Sequence, residues 1–346
     1  MLRLRARLID LTTRTGVARV FLTASAKLPP NWQRLTVLTW HRIAKVVHPG
    51  FDQGVMAASP EEFDRQIAII KEKFSIIDIA ALMRYRDERR PLPPNPVLLT
   101  FDDGYRDNLT VALPILQEHH AKAVFFIPTG FMGERKLFSW ERVSALIARS
   151  QRPQIQISYP EPMHLSLGSE EARRHASRLL SRLCRTRVHI DLPRFLTELG
   201  EACEVQWDAA IERAIADELI LDWNGVRALV QAGMDVQSHG ESHALFPVIP
   251  AEEVLRDALA SRQALEAQTG TLQVAIAYPA GAGVGPGHPG HAAVEKAGYK
   301  LGFSLDSGTC RLGCISDWLN LPRVCAEPGM TENQFRGFLA FPALLA

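Results

Sequence analysis

The sequence predicts an α/β protein built on a parallel sheet or barrel, and three observations predict it. Short apolar runs recur along the chain with helical segments between them, the alternation expected of a parallel α/β fold. The runs are continuous, as in Val97-Leu98-Leu99-Thr100-Phe101, which marks strands covered on both faces. Several stop beside a residue with chemistry, among them His41, Asp102, His239 and Pro279. In such folds the functional groups gather at the carboxyl ends of the strands.

Taken in order, residues 1–34 read as an N-terminal helical extension. Leu4, Leu8, Leu11, Ala18 and Leu22 share one helical face, with Arg3, Arg5, Arg7, Arg14 and Arg19 mostly off it. That pattern suits either peripheral contact with an anionic membrane or docking on the protein's own core. Pro29 and Pro30 mark a connector, and residues 35–40 form a strand ending at His41. Residues 60–73 form a helix with Ser59 as N-cap, Pro60 at its first position, and Phe63, Ile67 and Ile70 on one face. A short strand at 74–78 and a helix at 79–89 lead through prolines to the strand that ends in Asp102-Asp103-Gly104. A helix at 109–120 follows, bent or delayed by Pro114, then a strand at 123–127 and a helix at 140–148.

From about 150 to 217 strand-like runs almost vanish and Arg-rich helical stretches, 170–187 and 192–199, take over. This reads as a helical insertion in the regular pattern, with Arg182, Arg185 and Arg187 on a solvated face. Regular order returns with a helix at 223–232, a strand at 234–238 and a long helix at 251–268. A strand at 274–278, a helix at 291–297 and strands at 301–304 and 321–325 complete roughly eight strands. The organisation expected is therefore an extension over 1–34 and one main unit over 35–346 that carries the insertion.

Composition narrows the classes of function. The 346 residues are 47% hydrophobic and 22% charged, ordinary for a globular chain. A formal net charge of +1 lacks the basic excess of nucleic-acid proteins. Cys184, Cys203, Cys310, Cys314 and Cys325 are odd in number and contain no Cys-x-x-Cys pair, so no disulfide framework is indicated. No apolar run approaches the ~18 residues of a spanning helix. The basic first residues are followed by Asp10, Thr12, Thr13 and Arg14 rather than by an apolar signal segment, so a cytoplasmic protein is expected, with peripheral contact to the inner membrane as one of the two readings of its basic helix.

Two motifs carry the chemistry. On a strand, neighbouring side chains face opposite ways, so Asp102 and Asp103 share a site only if the backbone turns at once, and Gly104 permits that turn. Far downstream, Ser238-His239-Gly240-Glu241-Ser242-His243 places two imidazoles four residues apart beyond another strand. Two neutral imidazoles and one carboxylate make a three-ligand set for a divalent transition metal that keeps positions open for water and substrate. The second carboxylate is then free to take a proton from water, and metal-assisted hydrolysis follows. From spacing alone, either aspartate could be the ligand.

Thr100-Phe101-Asp102-Asp103-Gly104, Ser238 to His243, and Ala277-Tyr278-Pro279-Ala280-Gly281, in that order, resemble the signature motifs of the NodB-homology polysaccharide deacetylases. Trp40-His41-Arg42, Phe125-Phe126-Ile127 and Leu321-Pro322-Arg323-Val324 are smaller echoes, and the resemblance spans about 35 to 326 without the insertion. It implies a distorted (β/α) barrel of seven or eight strands that hydrolyses the N-acetyl group of a hexosamine in a polysaccharide or lipid-linked saccharide. It implies Asp102 as general base and Asp103, His239 and His243 as ligands of one divalent metal, zinc first, with cobalt, nickel or manganese as alternatives. The Tyr105 backbone N–H is the expected oxyanion donor, and Tyr278 with Pro279 the expected wall of the sugar pocket.

The resemblance fails at the general acid. Many members use a histidine in a late Leu-x-His motif, but here Leu321-Pro322-Arg323 stands in that region. His41 is the expected substitute, unless Asp102 returns the proton it took. Arg323 is expected to orient Asp102 through a charge-assisted bond that lowers its pKa. Two other functions compete: a non-catalytic carbohydrate-binding relative, and an iron oxygenase with the same two-histidine, one-carboxylate set. The oxygenase leaves the Asp-Asp pair without a purpose.

Overall fold

A computed structural model describes residues 12–44, 50–187, 190–306 and 308–342. Its centre is a ring of parallel strands: β1 (Arg34–Trp40), β2 (Pro96–Phe101), β3 (Val124–Ile127), β4 (Asp235–Ser238), β5 (Ala275–Ala277) and β6 (Leu301–Ser304), each paired with the next. The run at 321–325 closes the ring as β7. Its first half, Leu321–Pro322, pairs with β6, and its second half, Val324–Cys325, pairs with β1. The architecture is thus the nearly closed α/β barrel expected from the alternation of runs, with Cys310–Arg311 adding a short antiparallel pairing to β1.

Alternation along each strand sorts the core. Leu35, Val37, Leu98, Val124, Phe126, Ala277, Leu301 and Phe303 fill the ring. Leu38, Trp40, Leu99, Phe101 and Phe125 face outward against helices. Phe63, Ile67 and Ile70 meet that outer layer from the helix Pro60–Lys73, whose Ser59 and Glu62 form a reciprocal capping box. By parity, Thr39, Thr100 and Asp102 stand on the inner side, so β1 and β2 deliver polar groups to one end of the ring.

Departures from expectation have local causes. The helix expected over 109–120 opens with a π-helical stretch, Asn108–Ala112, that runs directly into an α-helix, Leu113–Glu118, and Pro114, with no N–H to donate back along the run, sits just past the junction. The strand expected over 321–325 is broken at Arg323, between its two different neighbours. Residues 150–217 contain a hairpin, Gln154–Ile157 with Met163–Ser166, that apolar-run reading missed because only alternate residues are buried. They also contain a third helix, Ala209–Leu219. Ile155, Ile157, Leu180, Phe195 and Leu199 form a core of their own against Val143, Leu146 and Ile147 of the helix Ser139–Arg149.

Leu4, Leu8, Leu11, Arg3, Arg5 and Arg7 lie outside the described residues. The described helix Val17–Ser25 docks inward, burying Ala18 and Leu22 against Ala340, with the Phe21 and Phe341 rings 4.8 Å apart. Among the described residues, no helix is long and apolar enough to cross a membrane.

Candidate active site

The carboxyl ends of β1, β2, β4 and β5 converge on one buried polar cluster. Strand pairing continues one residue past β2 and β4. Asp102 N–H donates to Trp40 C=O at 3.0 Å, and His239 N–H donates to Ile127 C=O at 3.0 Å. The ring's hydrogen-bond ladder therefore fixes both residues. Asp103 then takes a φ of 72° and Gly104 a φ of 65°, so the chain reverses hand and Asp103 joins Asp102 in one site. The turn expected at Gly104 begins one residue earlier, on a side chain that tolerates it only at a cost.

Asp103, His239 and His243 offer ligand atoms that all lie within 4.8 Å of one another. The His239 and His243 Nε2 atoms stand 3.4 and 3.2 Å from Asp103 Oδ1. These are ion-pair distances, yet this buried oxygen has no hydrogen bond of acceptable geometry. His239 Nδ1 lies 2.8 Å from the Ala277 carbonyl, which can only accept, so the ring's proton belongs there. A neutral His239 then turns the Nε2 lone pair toward a carboxylate oxygen. Two acceptors facing each other in a buried space need a cation between them, and a divalent metal ion fits this donor set. Asp102 and Asp103 are each 2% exposed and His239 1%, so bulk water cannot screen them.

The loop bearing His243 is held from behind. Asp257, on the helix Ala251–Thr269, accepts the Glu241 N–H at 2.7 Å, the Ser242 N–H at 2.9 Å and the Ser242 hydroxyl at 2.5 Å. Gly240 sits at φ 75°, and a Cβ there would come 2.7 Å from Asp257 Oδ1. The Thr129 and Gly130 N–H groups bind the Gly240 and Glu241 carbonyls. The His243 ring lies against Trp140, with centroids 5.0 Å apart. Nothing in the sequence singled out Asp257, because an aspartate within a helix carries no motif.

Asp102 has a different environment. The Arg323 guanidinium donates to both of its oxygens at 2.7 Å, and approaches the Thr39 and Thr100 hydroxyls at 3.3 and 3.4 Å. Burial pushes the Asp102 pKa up, but Arg323 outweighs it and holds the carboxyl below its usual range. With a proton between them, Asp103 is held well below that range and His239 is raised above the usual imidazole value: burial opposes both charges and each charge stabilises the other, the proton standing where a metal ion would. His41 lies within electrostatic reach of both acids and Arg323, and burial lowers its pKa despite the acids' pull, so its ring rests neutral near pH 7. Asn108 anchors its backbone through a 2.7 Å bond to the His41 carbonyl.

The residues expected to touch substrate separate. Pro279 opens the turn Pro279–Gly281 beside Ala277. Tyr278 is a correction: its side chain faces outward, packs against Phe246, and donates its hydroxyl to the Leu319 carbonyl at 2.6 Å. Ala277 points into the ring, so strand parity sends Tyr278 away from the site. The Tyr105 side chain is also buried, bonded to Glu141 at 2.8 Å and to Trp140 Nε1 at 2.9 Å, which leaves only its backbone near the acids.

The sequence profile described as polysaccharide deacetylase matches residues 89–158 and 201–302, flanking much of the helical insertion. The poly-beta-1,6-N-acetyl-D-glucosamine N-deacetylase of Escherichia coli (strain K12) is 32% identical over 108 residues. That match covers 31% of this chain and spans 15% of the relative's length. The Streptococcus pyogenes deacetylase PplD, solved in complex with acetate, superposes with a TM-score of 0.57 at 18% identity, covering 88% of this chain and 97% of that one. IcaB from Ammonifex degensii gives 0.54 at 16% identity, covering 90% and 97%. At such identities the solved structures speak to the fold.

Proposed function

The chain belongs to the polysaccharide deacetylase family, and from that premise we propose that it removes the acetyl group from N-acetylhexosamine units of a glycan or lipid-linked saccharide, with a divalent metal ion held by Asp103, His239 and His243. One observation carries the proposal: the three candidate ligands converge on a point beside a second carboxylate that Arg323 keeps ionised. When bound, a divalent metal such as zinc supplies a water of lowered pKa and polarises a carbonyl oxygen.

This chain's residues supply the rest. Asp102, anionic and unable to rotate out of the Arg323 fork, accepts a proton from the attacking water. The Tyr105 N–H, next to the Asp103-Gly104 turn, donates to the developing oxyanion. The leaving nitrogen needs one proton, and Asp102 holds one after the attack. His41, neutral at rest and within electrostatic reach of Asp102, is the proposed carrier that takes this proton and passes it on. Acetate and an amine leave.

The name of the E. coli relative makes a β-1,6-linked N-acetylglucosamine polymer the first substrate to assay. Acetate release from that polymer, from N-acetylglucosamine oligomers and from lipid-linked sugars, with several divalent metals, tests the reading. Absence of release from all of them, at full metal occupancy, rejects it in favour of a binding protein.

A further inference from the structure

A cavity of about 320 Å³ opens beside His243, between the barrel rim and the helical insertion. Its rim side is made by Phe138, Trp140 and Leu245, and its other side by Leu192, Leu196 and Cys184 of the insertion. The wall is mainly apolar, with Ser139, Arg142, Arg185, Glu212 and Ser242 as its polar members. The Trp140 N–H is committed to Tyr105, and burial pushes the Cys184 thiol up to about 12, so it stays protonated and behaves as a small hydrophobe. The wall is also held: Arg185 ion-pairs with buried Asp52, whose backbone N–H is bound by Glu141 at 2.8 Å. The Glu212 carboxylate is taken by the Leu137 and Trp207 N–H groups and the Ser242 hydroxyl by Asp257, so the lining presents mainly hydrocarbon to an occupant.

We propose that this cavity is an acyl subsite, in which the insertion accommodates a hydrocarbon chain longer than acetyl on the substrate's amide. The inference rests on the amidohydrolase reading above. His243 both lines the cavity and faces Asp103, so the cavity begins at the point where the amide carbonyl would be polarised. The chain on the carbonyl carbon is the part of the substrate one bond from that point. The volume is on the order of ten water-sized groups, far more than an acetyl methyl fills. The chemistry is unchanged: water's oxygen bonds to the carbonyl carbon, the C–N bond breaks, the nitrogen gains a proton, and a carboxylate and a hexosamine result.

The test compares one hexosamine oligomer carrying N-acetyl, N-butyryl or N-hexanoyl groups, with amine release as the readout. Each methylene that enters the cavity should lower KM about three- to fourfold, so kcat/KM for hexanoyl should exceed that for acetyl at least tenfold. Leu192 is half-buried, so Leu192→Trp, which fills the cavity, and Leu192→Lys, which charges its wall, suit the fold. Both should cut the hexanoyl-to-acetyl ratio tenfold or more. A wild-type rate that falls with chain length, or a ratio unmoved by both variants, overturns the proposal. If no acylated sugar is hydrolysed, the deacetylase reading fails, and calorimetric titration decides the cavity separately. Hexanoate binding at least tenfold tighter than acetate, and losing that advantage in Leu192→Lys, supports an apolar subsite, whereas equal binding overturns it.

Discussion

The Arg323 guanidinium grips Asp102 through two 2.7 Å bonds inside the ring, where Arg323 itself is wholly buried. Arg323 lies between the two halves of β7, so the strand that closes the barrel also ionises the proposed base. Arg323→Met leaves a buried carboxylate unpaired, which costs about 3–5 kcal/mol. The depressed Asp102 pKa contributes stability present above the carboxyl's unfolded pKa and lost as pH falls through its lower folded value. Without Arg323 the folded pKa rises, so the acid limb of kcat/KM should move to higher pH. Urea unfolding and a pH–rate profile check both parts. An unmoved acid limb would show that Asp102 is not the group titrating there.

The two acids should separate by phenotype. Asp102→Asn keeps Asp103, His239 and His243 intact, so zinc should still bind while acetate release drops at least a hundredfold. His239→Ala removes one ligand and should lose the metal as well as the activity. Metal content after gel filtration distinguishes them, and the wild-type Tm should rise with added zinc by mass action while that of His239→Ala does not.

Asp257 is not among the candidate ligands but fixes the loop that carries His243. Asp257→Ala frees two backbone N–H groups and one hydroxyl, and should weaken metal binding ~10–100-fold, the range for partners that orient ligands. Gly240→Ala should act through the same loop, since a Cβ at φ 75° also meets Asp257. Competition for zinc against a chelating dye measures both. Unchanged zinc affinity in Asp257→Ala would assign it to stability alone.

Most of the ring was legible in the sequence because its strands are continuous apolar runs, as over 97–101, and its helices carry local start signals such as Ser59-Pro60. That Asp102, Asp103, His239 and His243 gather at one end of the ring was legible because Asp102 and His239 directly follow β2 and β4, with Asp103 one residue and His243 four residues beyond them. The Tyr278 side chain was misassigned because a motif says which residues are neighbours in the chain, while strand parity decides which way they face. The hairpin at 154–166 escaped because its outer face is polar. Asp257 and Glu141 escaped for another reason: they act through tertiary hydrogen bonds from helices, and only the packed fold brings them to the site.

Glu141 gives the protein a pH-dependent stability away from the candidate metal ligands. It is wholly buried, accepts the Tyr105 hydroxyl and the Asp52 N–H, and burial raises its pKa to about 7 against the pull of Arg42. The unfolded carboxyl ionises near 4.5. Between those values the folded chain holds a proton that the unfolded chain has lost, so stability falls as pH rises from 4.5 to 7 and levels off above. The gap corresponds to a loss on the order of 3 kcal/mol. Glu141→Gln removes the titration while an amide oxygen can still accept one of the two bonds. Its unfolding free energy relative to wild type should therefore improve between pH 5 and pH 8, by chemical denaturation at each pH. A constant difference across that range would mean that Glu141 is already ionised at pH 5, held so by Arg42.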